Sequence, residues 1–493
     1  MTGSRTQHHA ILWLVCVVAV TALHIPYLQL PYYWDEAGYY VPAAIDLAQH
    51  GRLIPQSTVA NPHPPLLSLY LAAAYKVFGT APLVTRLAMC ILSGTAIYAL
   101  LVLAMVVTPA IGGLWAAGLL ALSPIFFAQS SLAHLDTAAT AATLLALYFF
   151  LRGRTGAYLA AATILCLTRE TGAALVVVLA IYRRRPLLLL PLLPLAAWFG
   201  FLRLTTGHWL GDPGFVDYNL WEALNPARFA VTLLRRVHFL FFVDFRWLLA
   251  IPLVVAWRKE RFQHPALWLA LATQIVVMSL FGGAILNRYL LPALAILFLL
   301  AIRGTSSLPP LASRLLLGAT LLAGIACWFW NPPYPFPYEE NLAYADFISL
   351  HEAGADRLSR FPPGTRILTA WPATDEFRRP ELGYTKMPAR IVAIDDFSEE
   401  AFEKIKAEDF DVLFLYSREW TPEWNLVEEW AVLRQLRIKL YGRRPQATTR
   451  WIQERFKLIS LGTIHFRGQW VNWLQRRDVH LLPVRPERVN FRP

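Results

Sequence analysis

Pro64-Pro65-Leu66-Leu67-Ser68-Leu69-Tyr70-Leu71-Ala72-Ala73-Ala74-Tyr75-Lys76-Val77-Phe78-Gly79 is the stretch on which the fold turns. Read as a membrane crossing, it inverts every later connection. Read as a helix lying at the surface, it leaves the later connections consistent. A hydrocarbon core takes about 20 apolar residues of helix to cross, and these 16 residues carry Lys76 inside. They are expected to form an external amphipathic or re-entrant helix.

Outward from this stretch the chain changes character once. Of its 493 residues 56% are hydrophobic and 16% charged, and the long apolar runs end near residue 330. The candidate crossings are 10–30, 83–107, 111–127, 135–151, 157–168, 171–182, 187–206, 237–256, 265–283, 288–302 and 314–330. The first is long for a signal-peptide core and lacks a small-residue cleavage site, so it is expected to stay in place. With 64–79 kept out of the count and the N-terminus cytoplasmic, Arg152 with Arg154, Arg183 to Arg185, Arg258 with Lys259 and Arg261, and Arg303 with Arg314 all fall on the inner side, as the positive-inside rule requires. The fold class is therefore mainly α. A polytopic helical membrane protein of about eleven crossings with external juxtamembrane helices (1–330) precedes a small soluble α/β domain (331–493), placed on the periplasmic side of a bacterial inner membrane.

The first 330 residues hold 21 Lys+Arg against 10 Asp+Glu, whereas the tail holds 24 against 23. The net charge thus belongs to the membrane part, and nucleic acid is not an expected partner. Cys16, Cys90, Cys166 and Cys327 lie far apart in apolar runs, without the paired spacing of metal or redox sites.

Chemistry is expected at the external face. Asp35 and Glu36 sit among aromatics in Tyr32-Tyr33-Trp34-Asp35-Glu36-Ala37-Gly38-Tyr39-Tyr40. Two readings stand here: an interfacial aromatic belt with a helix-capping acid, or a carboxylate that takes a proton from an acceptor hydroxyl. Asp136, two residues after His134, opens a later crossing from the same side, where an acid also complements the helix dipole. Runs 157–168 and 171–182 are too short to cross alone, so Arg169 and Glu170 between them would be recessed, a costly placement for charge.

Order and spacing add a resemblance. Trp34-Asp35-Glu36, His63-Pro64-Pro65-Leu66-Leu67 with Phe78-Gly79, Ser123-Pro124 with His134-Leu135-Asp136, Leu167-Thr168-Arg169-Glu170-Thr171 and Asn287-Arg288-Tyr289-Leu290-Leu291-Pro292 together resemble the GT-C superfamily, in the branch of the protein O-mannosyltransferases and the lipid A aminoarabinose transferase. The resemblance covers about residues 10 to 330. It implies a glycosyltransferase that moves a sugar, with inversion, from a polyprenyl-phosphate donor to an envelope lipid, glycan or protein. It makes Asp35 the base, gives Glu36 a supporting role and makes Asp136 a second acid. Arg169 and Arg288, with Lys76 behind them, would hold the donor phosphate, since a guanidinium fork grips phosphate oxygens at two points. Many relatives have Lys at the place of Arg169. Trp34, Tyr39, His63, His134, Glu170 and Tyr289 would line the substrate cavity. No cofactor is required, and a divalent metal ion, if used, would fall to His63 and His134. The plain alternative for each arginine is snorkelling to lipid headgroups, which is the reading given to Arg86, Arg235 and Arg236.

A polytopic transporter or lipid-linked-sugar flippase is the competing class. It would bring internal repeats and charges near the midplane, and neither is visible in the sequence. In the tail a proline-rich exit (331–338) precedes a helix near 339–358, strands at 366–371, 390–394 and 411–416, a helix near 398–407 and a hairpin within 458–473. Trp371-Pro372 and Gly383-Tyr384 read as turns of a structural cap or as a cover that selects the acceptor.

Overall fold

The computed structural model describes residues 2–221, 223–261, 263–422, 429–442 and 444–479. The chain forms two compact units, one made of residues 1–28 and 39–331, the other of 29–38 and 332–493.

The first unit is helical: α1 Thr2–Leu23, α2 Val41–His50, α3 Leu66–Phe78, α4 Pro82–Val107, α5 Ala110–Ala121, α6 Pro124–Gln129, α7 Leu135–Leu151, α8 Thr155–Thr168, α9 Gly172–Arg183, α10 Leu192–Thr206, α11 Pro213–Val216, α12 Pro226–Phe242, α13 Ala250–Glu260, α14 Pro265–Leu280, α15 Leu291–Thr305 and α16 Pro310–Ala326. Proline stands in the first turn of α4, α6, α12, α14, α15 and α16, where its missing N–H costs nothing and its fixed φ suits the helix.

Helix α3 buries Leu67, Leu71, Ala72 and Tyr75, the i, i+4, i+5, i+8 pattern of one buried face. Val77 (70% exposed) and Phe78 (73%) stand out on its last turn. Its 13 residues reach about 20 Å, short of the roughly 30 Å of hydrocarbon.

Among the described residues four helical stretches are long and apolar enough to cross a membrane: Pro82–Val107, Pro186–Thr206, Pro226–Lys259 and Asn287–Thr305. Eight further apolar helices have 10–17 residues among those described, α1 counted from Gln7. Two of the expected crossings take another form. Run 111–127 is two helices, broken ahead of Pro124. Run 237–256 straddles a break at Asp244 and Phe245 (φ 53° and 59°). There the buried Arg246 donates to the carbonyl of Leu240 at 3.1 Å and pairs with Asp244 at 2.7 Å, which supplies donors to carbonyls that the broken helix leaves over.

Helix α15 is almost wholly buried from Leu291 to Ile302, so its apolar length serves the protein interior rather than a lipid face. Helices α1 and α4 cross at Gly94, where an added Cβ would lie 2.5 Å from the Cα of Val17. Such backbone approach is how small residues pack membrane helices.

The second unit carries a sheet of order β2-β1-β3-β5-β4, with β1 Arg366–Ala370, β2 Arg390–Ile394, β3 Val412–Tyr416, β4 Leu458–Phe466 and β5 Gln469–Arg476. Strands β2, β1 and β3 are parallel, and β5 and β4 continue the sheet antiparallel as a hairpin. Around it lie α17 Ala343–Leu358, α18 Ala373–Arg378, α19 Glu399–Glu403, α20 Ala431–Tyr441 and α21 Thr449–Phe456. Helix α19 is shorter than the expected 398–407 because Ser398 caps its start and the chain turns away at Lys404. The core is aromatic: Phe414 stacks near Trp473 (4.7 Å) and Phe377 (4.9 Å), and His351 lies against Phe347 (3.9 Å).

Residues 29–38 fold with this unit although 293 residues (39–331) separate them from the rest of it in the chain. The Tyr32 amide donates to the carbonyl of Leu382 (3.2 Å), and the Tyr384 hydroxyl donates to the carbonyl of Tyr32 (3.0 Å).

Candidate active site

In the first unit α7 starts with Asp136, α8 ends just before Arg169, and a 3-10 turn, Asn287–Leu290, ahead of α15 carries Arg288. These three side chains meet. Arg169 pairs with one oxygen of Asp136, and the Nε of Arg288 stands 3.3 Å from the other. Their side chains are 10%, 3% and 1% exposed for Arg169, Asp136 and Arg288 respectively, so this is an interior trio with a formal charge of +1. The guanidinium carbon of Arg169 lies 4.2 Å from the centre of the Tyr289 ring, within the range of a cation–π contact. The Nε of Arg169 is buried with no hydrogen-bond partner among the described residues.

His134 is 1% exposed. Its Nδ1 is 2.6 Å from Oε1 of Gln129, while Nη1 of Arg288 is 2.7 Å from Nδ1 and 2.9 Å from Nε2. Gln129 and Arg288 thus both close on the His134 imidazole, which holds ring and guanidinium together. Arg86 donates to the carbonyl of Ser131 at 2.9 Å and fixes the turn that bears His134.

Next to the trio is a second polar pair. The Nδ1 of His63 lies 2.9 Å from Oε2 of Glu170, with side chains 19% and 22% exposed. His63 is flanked by Tyr40 (6.4 Å) and Phe215 (6.0 Å), and Tyr40 also meets the His134 ring at 6.0 Å. Tyr39, Tyr40, His63, Asn61, Leu135 and Trp198 line a small, partly open recess.

Asp35 is on the second unit. Its turn is set by neighbours: the Tyr33 amide donates to Oε2 of the fully buried Glu36 at 2.8 Å, and Trp34 has a φ of 41°. A non-glycine residue there is uncommon and costs roughly 1–3 kcal/mol, a kind of strain that gathers at functional turns. Trp34 is held by Trp371 (5.2 Å), Phe347 (5.6 Å) and the Arg418 guanidinium (5.9 Å). Gly38 lies under the Trp371 indole, where an added Cβ would be 2.7 Å from the ring. Trp371-Pro372 and Gly383-Tyr384 therefore grip the Asp35 segment.

No protein-family profile matches the chain, and no curated protein matches its sequence. Solved structures do. ArnT from Cupriavidus metallidurans bound to undecaprenyl phosphate is similar over 94% of this chain and 98% of that one, with a TM-score of 0.56 at 13% identity. The same protein in its apo state gives a TM-score of 0.55 at 14% identity over the same shares. The chain has the GT-C fold. A looser likeness, with a TM-score of 0.47 at 14% identity over 83% of this chain and 69% of the other, is to the oligosaccharyltransferase of Archaeoglobus fulgidus in its apo form.

Within this GT-C fold the residues singled out by sequence fall into groups. Asp136, Arg169, Arg288, Tyr289 and His134 come together, with Glu170 and His63 beside them and Tyr39 in the wall of the recess. Trp34, Asp35 and Glu36 share one turn of the second unit. Lys76 is exposed on the last turn of α3 and joins neither group. Two arginines depart from the headgroup reading: Arg86 and Arg236 are both fully buried. Arg236 donates to the carbonyl of Leu286 at 2.7 Å and stands over Tyr289 at 5.9 Å, so it braces the turn that carries Arg288. Arg235 is exposed. His63 and His134 serve different partners, and no group of three or more metal-holding side chains occurs among the described residues. Gln129, Tyr40, Trp371 as a partner of Trp34, and Arg418 are not marked in the sequence. Each acts through a contact distant in the chain and leaves no local pattern.

Proposed function

We propose that the chain is a glycosyltransferase that takes a sugar from a polyprenyl-phosphate carrier and passes it to a hydroxyl of an envelope acceptor. The observation that carries this reading is the buried trio in which two arginines share one carboxylate. Buried charge is stable only when compensated. A site with a surplus cation, an unpartnered Arg169 Nε and a cation–π brace suits an anion with several oxygens, such as a phosphate. Asp136 then acts as a positioning residue that holds both guanidiniums in place.

In this mechanism the Asp35 carboxylate takes the proton of the acceptor hydroxyl. The hydroxyl oxygen attacks the anomeric carbon from the face opposite the phosphate, and the configuration inverts. The bond from that carbon to the phosphate oxygen breaks, and its electron pair stays on the phosphate, where Arg169 and Arg288 stabilise the charge as it grows. Glu36 keeps Asp35 in register by accepting from the Tyr33 amide.

The same reading puts the N-terminus in the cytoplasm and the second unit in the periplasm of a bacterial inner membrane. The test is transfer of labelled sugar from a polyprenyl-phosphate donor by the full chain in proteoliposomes. Asp35→Asn should abolish transfer and leave the thermal unfolding midpoint unchanged, whereas transfer at the wild-type rate by this variant would remove Asp35 from the mechanism.

A further inference from the structure

The parallel part of the sheet in the second unit has the order β2-β1-β3. After β1 the chain moves to the β2 side, and after β3 it moves to the opposite side, where β5 and β4 lie. Strands whose connections part in this way leave a crevice at their carboxyl ends, which is where open α/β sheets bind ligands. At those ends stand Trp371, one residue past β1, and Arg418, two residues past β3. The Tyr416 hydroxyl donates to the carbonyl of Ala370 at 3.0 Å and ties the two strand ends together. Both side chains close on Trp34: its ring meets the Trp371 indole edge to face at 5.2 Å, and the Arg418 guanidinium lies 5.9 Å from its centre. Asp35 is the next residue. Of residues 32–38 only Trp34 and Asp35 are half-buried and the other five are buried, while Trp371 and Arg418 are half-buried too. The backbone ahead of Arg418 is pinned, since the Ser417 amide donates to the carbonyl of Trp470 at 3.0 Å and the Tyr338 hydroxyl donates to Oγ of Ser417 at 2.8 Å. The neighbouring acid, Glu419, pairs with Arg437. Among the described residues no carboxylate pairs with Arg418.

Crossed indoles, a carboxylate and a cation without an acid partner thus share the half-open edge of the β1/β3 crevice. Flat aromatic walls with a few placed polar groups are the make-up of a small-molecule site. We infer that Arg418 is a specificity residue of the acceptor: it holds the oxyanion of an acidic sugar, a carboxylate or a phosphate, while the indoles of Trp34 and Trp371 take the sugar ring and a hydroxyl of the same sugar faces Asp35. The acceptor is then an acidic glycan or glycolipid, and this assignment rests on the proposed sugar transfer for the part played by Asp35. The charges decide the class. A neutral sugar would use the indoles and the carboxylate and leave a half-buried guanidinium without a counter-charge. An oxyanion fills the guanidinium fork at two points and offsets the repulsion that Asp35 alone would exert on an anionic ligand.

The experiment titrates the full chain in nanodiscs with glucose, glucuronate and glucose 6-phosphate, each followed by saturation-transfer NMR, with undecaprenyl phosphate present to fill the arginine pair of the first unit. The anionic sugars should bind on the order of 10-fold more tightly than glucose, as one charge-assisted contact requires, and the order of the two tells carboxylate from phosphate. Arg418→Gln should bring both down to the glucose value, and Arg418→Lys should keep part of the preference. Equal binding of the three sugars by the wild type, no binding of either anionic sugar, or a preference that persists in Arg418→Gln would overturn the inference. The comparison of sugars on the wild-type chain stands even where Arg418→Gln folds poorly. Transfer of labelled sugar is read separately. A chain that prefers the anionic sugars and transfers nothing keeps this site and fails the proposed reaction, whereas transfer without the preference fails this site alone.

Discussion

The Nε of Arg288 lies 3.3 Å from Oδ2 of Asp136, and Arg169 holds the other oxygen of the same carboxylate. Asp136→Asn removes the shared counter-charge and leaves two buried guanidiniums facing each other. Breaking a buried ion pair in this way costs about 3–5 kcal/mol, so the variant should unfold at clearly lower temperature. Asp136→Asn combined with Arg169→Gln should recover part of the loss, and a thermal-shift measurement on the purified full chain reads both.

Tyr289 supports Arg169 through its ring. Tyr289→Phe keeps the ring and should bind a carrier phosphate nearly as well as the wild type. Tyr289→Leu should weaken binding by about 0.5–2 kcal/mol, and the deficit should vanish in an Arg169→Met background. A double-mutant cycle on binding affinity checks the coupling.

Gly38 carries the Trp371 indole. Gly38→Ala puts a methyl group where the ring stands, and overpacking of this kind costs about 1–3 kcal/mol. Sugar transfer should fall with stability, and Trp371→Leu should relieve the stability loss. Equal stability of Gly38→Ala and wild type would contradict the grip on the Asp35 segment.

Much of the helical scaffold is visible in the sequence, because hydropathy, proline at helix starts and the 13-residue limit of α3 are local properties. The cluster residues are visible as types and positions: His134, Asp136, Arg169 and Arg288 carry polarity into apolar surroundings, which is costly enough to mark them. The partners are not visible. An arginine that reaches lipid phosphate and one that reaches backbone carbonyls look alike in composition, so Arg86 and Arg236 read as headgroup contacts although both are buried. Nothing local shows that Tyr32 to Gly38 pair with Trp371, Gly383 and Tyr384. The break at Asp244 is masked by the apolar residues on both sides of it.

Glu352 on α17 gives a pH dependence. Burial, helped by the nearby Asp356, raises its carboxyl to about 7, and burial raises Asp346 to about 6 against the opposing pull of Arg467. An acid raised in the folded state holds its proton more tightly there than when unfolded. Its contribution therefore turns against folding as pH rises from the unfolded value, near 4.5, through the folded one. The second unit should lose stability between about pH 5 and pH 7.5. Glu352→Gln should flatten that slope and gain on the order of 1 kcal/mol at pH 8 after allowance for solvent screening. Unfolding midpoints followed across this range, for both chains, give the comparison.

The central claim is that Arg169 and Arg288 hold a lipid-borne phosphate, and equilibrium binding of undecaprenyl phosphate to the full chain in nanodiscs tests it most directly. Arg169→Met and Arg288→Met should each weaken binding by roughly 10–100-fold, as the loss of a charge-assisted contact worth about 1.5–3 kcal/mol requires, while Lys76→Met leaves it unchanged. Wild-type affinity in both arginine variants, with folding intact, would contradict it.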